Sequence, residues 1–195
     1  MFFIPSLVIL KIGLEVPILL LGADMQNGNQ VLRGAERGEP VALFLSPLSP
    51  SFKNSSVIDS TRHGSQFTFF LTAPLLAFCQ LFDFNLTEDD KNMSSTESIL
   101  SAAFSKWEQI LCTSADLDLV WAQLLSDPFL RRLILRFIFC RAVLTLFCKR
   151  EEGDQYLPIC IPELPSSVSA NSKAVQPAIT QLANHLKVTD CFRSL

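Results

Sequence analysis

An all-α fold is the expectation from this sequence: an irregular helical bundle or partial α-solenoid, with a poorly ordered N-terminal third. Three observations support it. Between Ser94 and Gly153 apolar residues recur every three or four positions in successive segments, the spacing that gathers them on one helix face. Helix-start chemistry appears in Ser94-Ser95-Thr96-Glu97 and Ser126-Asp127-Pro128. The stretch ahead of them, residues 24–66, holds a single continuous apolar run, Val41–Leu45, long enough for a short strand or helical turn and not for a βαβ unit. With 195 residues, 49% hydrophobic and 18% charged, the chain is too apolar for a disordered protein and long enough for one core, but short for two full domains.

Five unlike pieces follow one another. Residues 1–23 are apolar, yet Lys11, Glu15, Pro5 and Pro17 interrupt them and neither a basic n-region nor a small-residue cleavage pattern is present, so the segment departs from a secretory signal. Residues 24–66 read as a loop-rich linker, with Gly28, Gly34, Gly38, Gly64, Pro40, Pro47 and Pro50. Residues 67–152 are the helical core, 153–173 a Pro/Ser-rich extended segment, and 174–188 a C-terminal amphipathic helix. The contrast between the first two pieces suggests a truncated or alternatively started version of a longer protein.

Within the core, Phe67–Phe82 carries no charge. As one helix it would be about 24 Å long, short of the roughly 30 Å of a bilayer, and Pro74 would kink it or start a second helix. Ser94-Ser95-Thr96-Glu97 has the form of a capping box, predicting a helix start at Ser94. Ile99, Leu100, Ala103, Phe104, Trp107, Ile110 and Leu111 then make one stripe. Cys112-Thr113-Ser114 breaks that helix, and Thr113 or Ser114 is the expected cap of the next, with Asp116 and Asp118 in its first turn. Leu117, Val120, Trp121, Leu124 and Leu125 repeat the stripe until Asp127 caps a third helix with Pro128 at its first position.

That third helix, from Pro128 to about Glu152 with Gly153 as its stop, is apolar around most of its circumference and should be the most buried element. Arg132 and Arg136 share a face, Arg131 lies about 100° to one side and Arg141 is almost opposite, so no continuous cationic stripe forms. The arginines are expected to pair with Asp116, Asp118 or Asp127. Beyond Gly153, Pro158, Pro162 and Pro165 forbid helix and favour an extended segment. Val175, Ile179, Leu182 and Leu186 then predict a last helix reaching about Val188, with Pro177 tolerated in its first turn.

The run Leu124-Leu125-Ser126-Asp127-Pro128-Phe129-Leu130-Arg131-Arg132-Leu133 resembles the junction of a HEAT/armadillo-type helical repeat, over residues 113–148. The resemblance implies a ladder of ion pairs between stacked units, carried here by Asp127 and Arg131. A solenoid needs about three units to bury its faces. A single unit therefore implies degenerate neighbours or a fragment of a larger helical-repeat protein.

Signals for chemistry are sparse. His63 and His185 show no zinc-ligand spacing, and His63-Gly64-Ser65 lacks a G-x-S-x-G frame. Gly34-Ala-Glu-Arg-Gly38 lacks the Lys-Ser/Thr of a phosphate loop, and Glu88-Asp89-Asp90 has no calcium-ligand pattern. An enzyme would require a pocket in which His63 or His185 meets a Ser, Cys or acid. Sixteen Phe against one Tyr and two Trp suit space-filling more than polar recognition. Sixteen basic against 19 acidic residues give a net charge of −3, which nominates no nucleic acid. Cys79, Cys112, Cys140, Cys148, Cys160 and Cys191 are scattered and read as reduced, packed thiols. That favours an intracellular, cytoplasmic or nuclear setting over one in which the triplets at Asn54, Asn85 and Asn92 are glycosylated. The expectation is a noncatalytic interaction or scaffold module. It needs no cofactor, metal or small-molecule substrate and binds another protein through a helix face or the proline-rich segment. The competing expectation is a small membrane-associated protein using residues 1–21 and 67–82.

Overall fold

The helix expected to be the most buried is the centre of the fold. The computed structural model describes residues 8–10, 18–23, 41–46, 66–82, 90–147 and 157–192. Strands β1 (Val8–Leu10), β2 (Ile18–Ala23) and β3 (Val41–Leu45) come first. Helices α1 (Gln66–Thr72), α2 (Pro74–Leu81), α3 (Asp90–Thr113), α4 (Leu119–Leu124) and α5 (Pro128–Phe147) follow. After them come β4 (Ile159–Ile161), a 3-10 turn at Ser166–Val168, α6 (Gln176–His185) and a second 3-10 turn at Thr189–Cys191. The protein is mostly helical, and the strands add one small mixed sheet in the order β1-β2-β3-β4. β2 and β3 run parallel, and the two outer pairings are antiparallel.

α5 buries residues on every side, from Leu130 and Ile134 to Phe137, Cys140 and Leu144, as its nearly uninterrupted apolar sequence requires. α1 and α2 pack on it and α3 lies against it. Phe44 of β3 stacks on Phe137 with ring centroids 4.3 Å apart and on Trp121 of α4 at 5.2 Å. The Val41–Leu45 run is therefore a strand embedded in the core. Ala42, Leu43 and Phe44 are fully buried, the pattern of a strand covered on both faces.

Phe67–Phe82 is broken at Pro74 into α1 and α2, and Phe67, Phe70 and Phe78 point into the core. The proline starts a second helix, one of the two outcomes its position allowed. Among the described residues no helix is long and apolar enough to cross a membrane.

Some boundaries differ from the local signals. α3 begins at Asp90, so Ser94 lies inside the helix and the apparent capping box is not its start. Thr96, its third member, is fully buried. α3 does end at Thr113, but the cap of α4 is Asp118, whose Oδ1 accepts from the Val120 amide at 2.8 Å. At the next corner the reading holds: Asp127 Oδ1 accepts from the Phe129 and Leu130 amides at 2.8 and 2.9 Å, and Pro128 opens α5.

The C-terminal helix is shorter than predicted, ending at His185. There the Val188 amide reaches back to Ala183 O and the Lys187 amide to Asn184 O, with Lys187 at φ 56°. This is a Schellman closure with lysine in the position glycine usually takes. Gly153, Cys148, the Gly34–Gly38 stretch and the Asn54 and Asn85 triplets lie outside the described residues. Asn92 falls within α3.

If β3 is core, Phe44→Ala should destabilise the protein by about 3–5 kcal/mol in urea unfolding. A residue in a surface linker would cost within about 0.5 kcal/mol.

Candidate functional site

Helix α5 carries the side chains that the sequence singled out, and its four arginines have four different environments. Arg131 Nη1 donates to Glu108 Oε1 of α3 at 2.9 Å, a pair about one-third exposed on each side. Arg136 Nη1 donates to the backbone carbonyls of Leu71 and Thr72 at 2.8 and 3.0 Å, closing the C-terminal end of α1. Arg132 Nε donates to Pro128 O, one turn back in its own helix, at 3.2 Å. Arg141 faces residues 157–171, and its charge acts on the Cys160 thiol of β4.

The expected pairing of Asp127 with Arg131 is replaced by two separate interactions. Asp127 is aimed back along α5 at the free amides of the first turn, the one direction in which a cap can serve them. Arg131, one turn into the helix, faces α3 and takes the carboxylate available there. Asp118 likewise works as a cap. Glu108, separated by 23 residues from its partner, carried no local signal.

The two tryptophans are the other polar ties. Trp107 Nε1 donates to Ala174 O at 3.0 Å and Trp121 Nε1 to Pro162 O at 2.9 Å, although both rings are fully buried. Their rarity beside sixteen Phe was the one clue that they do more than fill space. His185 Nε2 and Ser95 Oγ lie 2.8 Å apart and share a hydrogen bond between α6 and α3. This is the His–Ser contact that an enzymatic reading requires. The hollow along α6, lined by Gln176, Pro177, Thr180, Gln181 and Asn184, includes neither residue. His63 lies outside the described residues, as do Glu88 and Asp89, while Asp90 begins α3. Among the described residues no cluster of three or more His, Cys, Asp or Glu is placed to hold a metal ion.

A second cleft, of about 370 Å³, opens between α5 and residues 157–171. Arg141 and Thr145 line it from α5, and Glu163 and Asn171 from the proline-containing segment. Cys160 of β4 is buried, which pushes its thiol up; a backbone hydrogen bond at Leu164 and the Arg141 guanidinium act in the opposite sense. Cys79 is pushed up to about 11 by burial, and Cys140, wholly enclosed, also moves up. Cys112 and Cys191, in contrast, are exposed, so the packed-thiol expectation holds for only some of the cysteines.

These features define a mostly helical protein built around one enclosed helix, with its arginines and tryptophans tying neighbouring segments to the centre. The chain belongs to the SCAI family, whose sequence profile, described as Protein SCAI, matches residues 17–150. It is similar to Protein SCAI from mouse and from human, at 31% identity over 156 residues in each case. Each of these matches covers 80% of this chain and 25% of the relative. A Protein SCAI homolog from Dictyostelium discoideum is 32% identical over 153 residues, covering 78% of this chain and 19% of the relative. The chain thus spans about a quarter or less of the length of these relatives. No solved structure matches.

Asp127→Ala should cost about 1 kcal/mol by loss of the cap. A Glu108/Arg131 double-mutant cycle should return a coupling below about 1 kcal/mol, because the pair is partly solvated. Both are read from urea unfolding.

In thiol labelling followed by peptide mass spectrometry, Cys112 and Cys191 should react at least about a hundredfold faster than Cys79, Cys140 and Cys160. The folded protein also holds the Cys79 proton to higher pH than the unfolded chain does. This contribution to stability is therefore complete below pH 9.0, the thiol's ordinary value, and lost as pH rises towards about 11. Cys79→Ala should flatten the fall in urea midpoint across that interval.

Proposed function

We propose that this SCAI-family chain is a noncatalytic interaction or scaffold module that binds another protein. The observation that carries the reading is the work its polar side chains do inside the fold. Asp118 and Asp127 cap helices, and Arg131 and Arg136 bind α3 and the end of α1. Both tryptophan N–H groups and the His185–Ser95 pair join α3 and α4 to the C-terminal segments. A framework tied at so many points presents its outer surface in one shape, the property a binding module needs.

Membership in a longer helical assembly is part of the same proposal. The short span of the chain relative to its relatives and the Asp127–Pro128 corner between α4 and α5 support it. Buried single thiols favour an intracellular setting.

Affinity purification of the folded full chain, with partner identification and reconstitution from purified components, tests the reading. A stoichiometric protein complex is expected. Folded chain that recovers no specific protein overturns it.

A further inference from the structure

We infer that the outer face of α5, formed by Phe129, Arg132 and Arg136 beside the α1–α2 corner, docks an acidic, apolar-anchored segment of a partner protein. The inference rests on the interaction-module reading and names its surface. Positions 129, 132 and 136 fall at i, i+3 and i+7, on one side of the helix over about 10 Å. Phe129 is 53% exposed, whereas Phe137 and Phe139 of the same helix are fully buried. Leu76, 48% exposed, stands on α2, the helix that follows the corner Arg136 grips.

Charge specifies the occupant. Among the described residues neither Arg132 nor Arg136 has a carboxylate within ion-pair distance, while Arg131, one position away, has Glu108. Arg136 is bonded to the C-terminal carbonyls of α1, whose partial negative charge offsets its own only in part. Desolvation and the like charge of Arg132 both hold it below the usual guanidinium range. Two guanidiniums of one sign on a protein of net charge −3 form a local cationic spot that an incoming carboxylate relieves. An exposed Phe beside Arg is the pairing enriched at the centres of protein interfaces. Two arginines are too few for a polybasic lipid-binding surface, which takes about four to eight basic residues, and too few to give strong phosphate-backbone binding.

Selection from a displayed library of random peptides, each about 12 residues long, on the folded full chain tests the surface directly. Peptides combining Asp or Glu with Leu or Phe are expected. Their affinity should fall about tenfold or more in Arg132→Glu and in Phe129→Ser. It should be unchanged in Lys106→Glu, an exposed charge reversal on α3, and should weaken as salt rises. Circular dichroism confirms that each variant is folded. Selected peptides without acidic residues, or binding unaffected by both α5 variants, overturn the inference. So does binding to phosphatidylserine vesicles with the same Arg132 dependence, or dimerisation of the chain lost in Arg132→Glu, since each assigns the face to another occupant. A natural partner that binds Arg132→Glu at full strength sinks this surface and leaves the module reading intact. Recovery of no partner by the wild-type chain is instead the failure of the module reading.

Discussion

Covering the apolar girth of α5, which leaves the Phe129–Arg132–Arg136 edge towards water, is the constraint on which the rest of the structure depends. A helix whose apolar residues occupy most of its circumference gains too little from a single neighbour, because each uncovered apolar side leaves large side chains in water. Leu130, Ile134, Phe137, Ile138, Phe139, Val143 and Leu144 are all buried. That result takes α1 and α2, α3, the central strand β3 and part of α6. The stacked rings of Trp121, Phe44 and Phe137 join α4, β3 and α5 and explain why a five-residue strand is retained among helices. A strand is thin enough to bring a second aromatic layer against α5, and its parallel and antiparallel partners satisfy its backbone on both sides.

The same enclosure dictates how polar groups are used. Phenylalanine supplies area without direction, so a core filled by Phe44, Phe67, Phe70, Phe78, Phe137 and Phe139 has few contacts that fix orientation. Direction comes from N–H groups that must find acceptors when buried. Trp107 and Trp121 each cross from a helix to a carbonyl of the non-helical C-terminal region, and Arg136 does the same at the end of α1. Pro162 and Ala174 lie outside any helix, so their carbonyls are free to accept such ties.

What could be read from the sequence was local. The Asp127–Pro128 corner, the break at Thr113, the interruption at Pro74 and the apolar girth of α5 are each decided within about one helical turn, and each is found. Ser94-Ser95-Thr96-Glu97 misleads because the same residues suit a helix's interior when one face is covered: Thr96 is buried and Ser95 bonds to His185, 90 residues away. Val41–Leu45 showed an apolar run but not its neighbours, since strand pairing is made with residues distant in the chain. The Arg131–Glu108 pair was hidden for the same reason. Three nearby aspartates looked like better partners than a glutamate on another helix, yet two of them were already needed as caps.

The family match adds a last constraint. The match to the family profile ends at residue 150, after α5 and before β4 and α6. Both tryptophan ties run from inside the matched stretch to carbonyls beyond it, and so does the Ser95–His185 bond. The matched part by itself would leave both indole N–H groups without these acceptors and would bare the sides of α3 and α5 that α6 covers. The C-terminal segment therefore completes the core in this chain. Pro162 and Ala174 lie in its non-helical parts, where a carbonyl is free to meet an indole; a regular helix would have kept those carbonyls for itself.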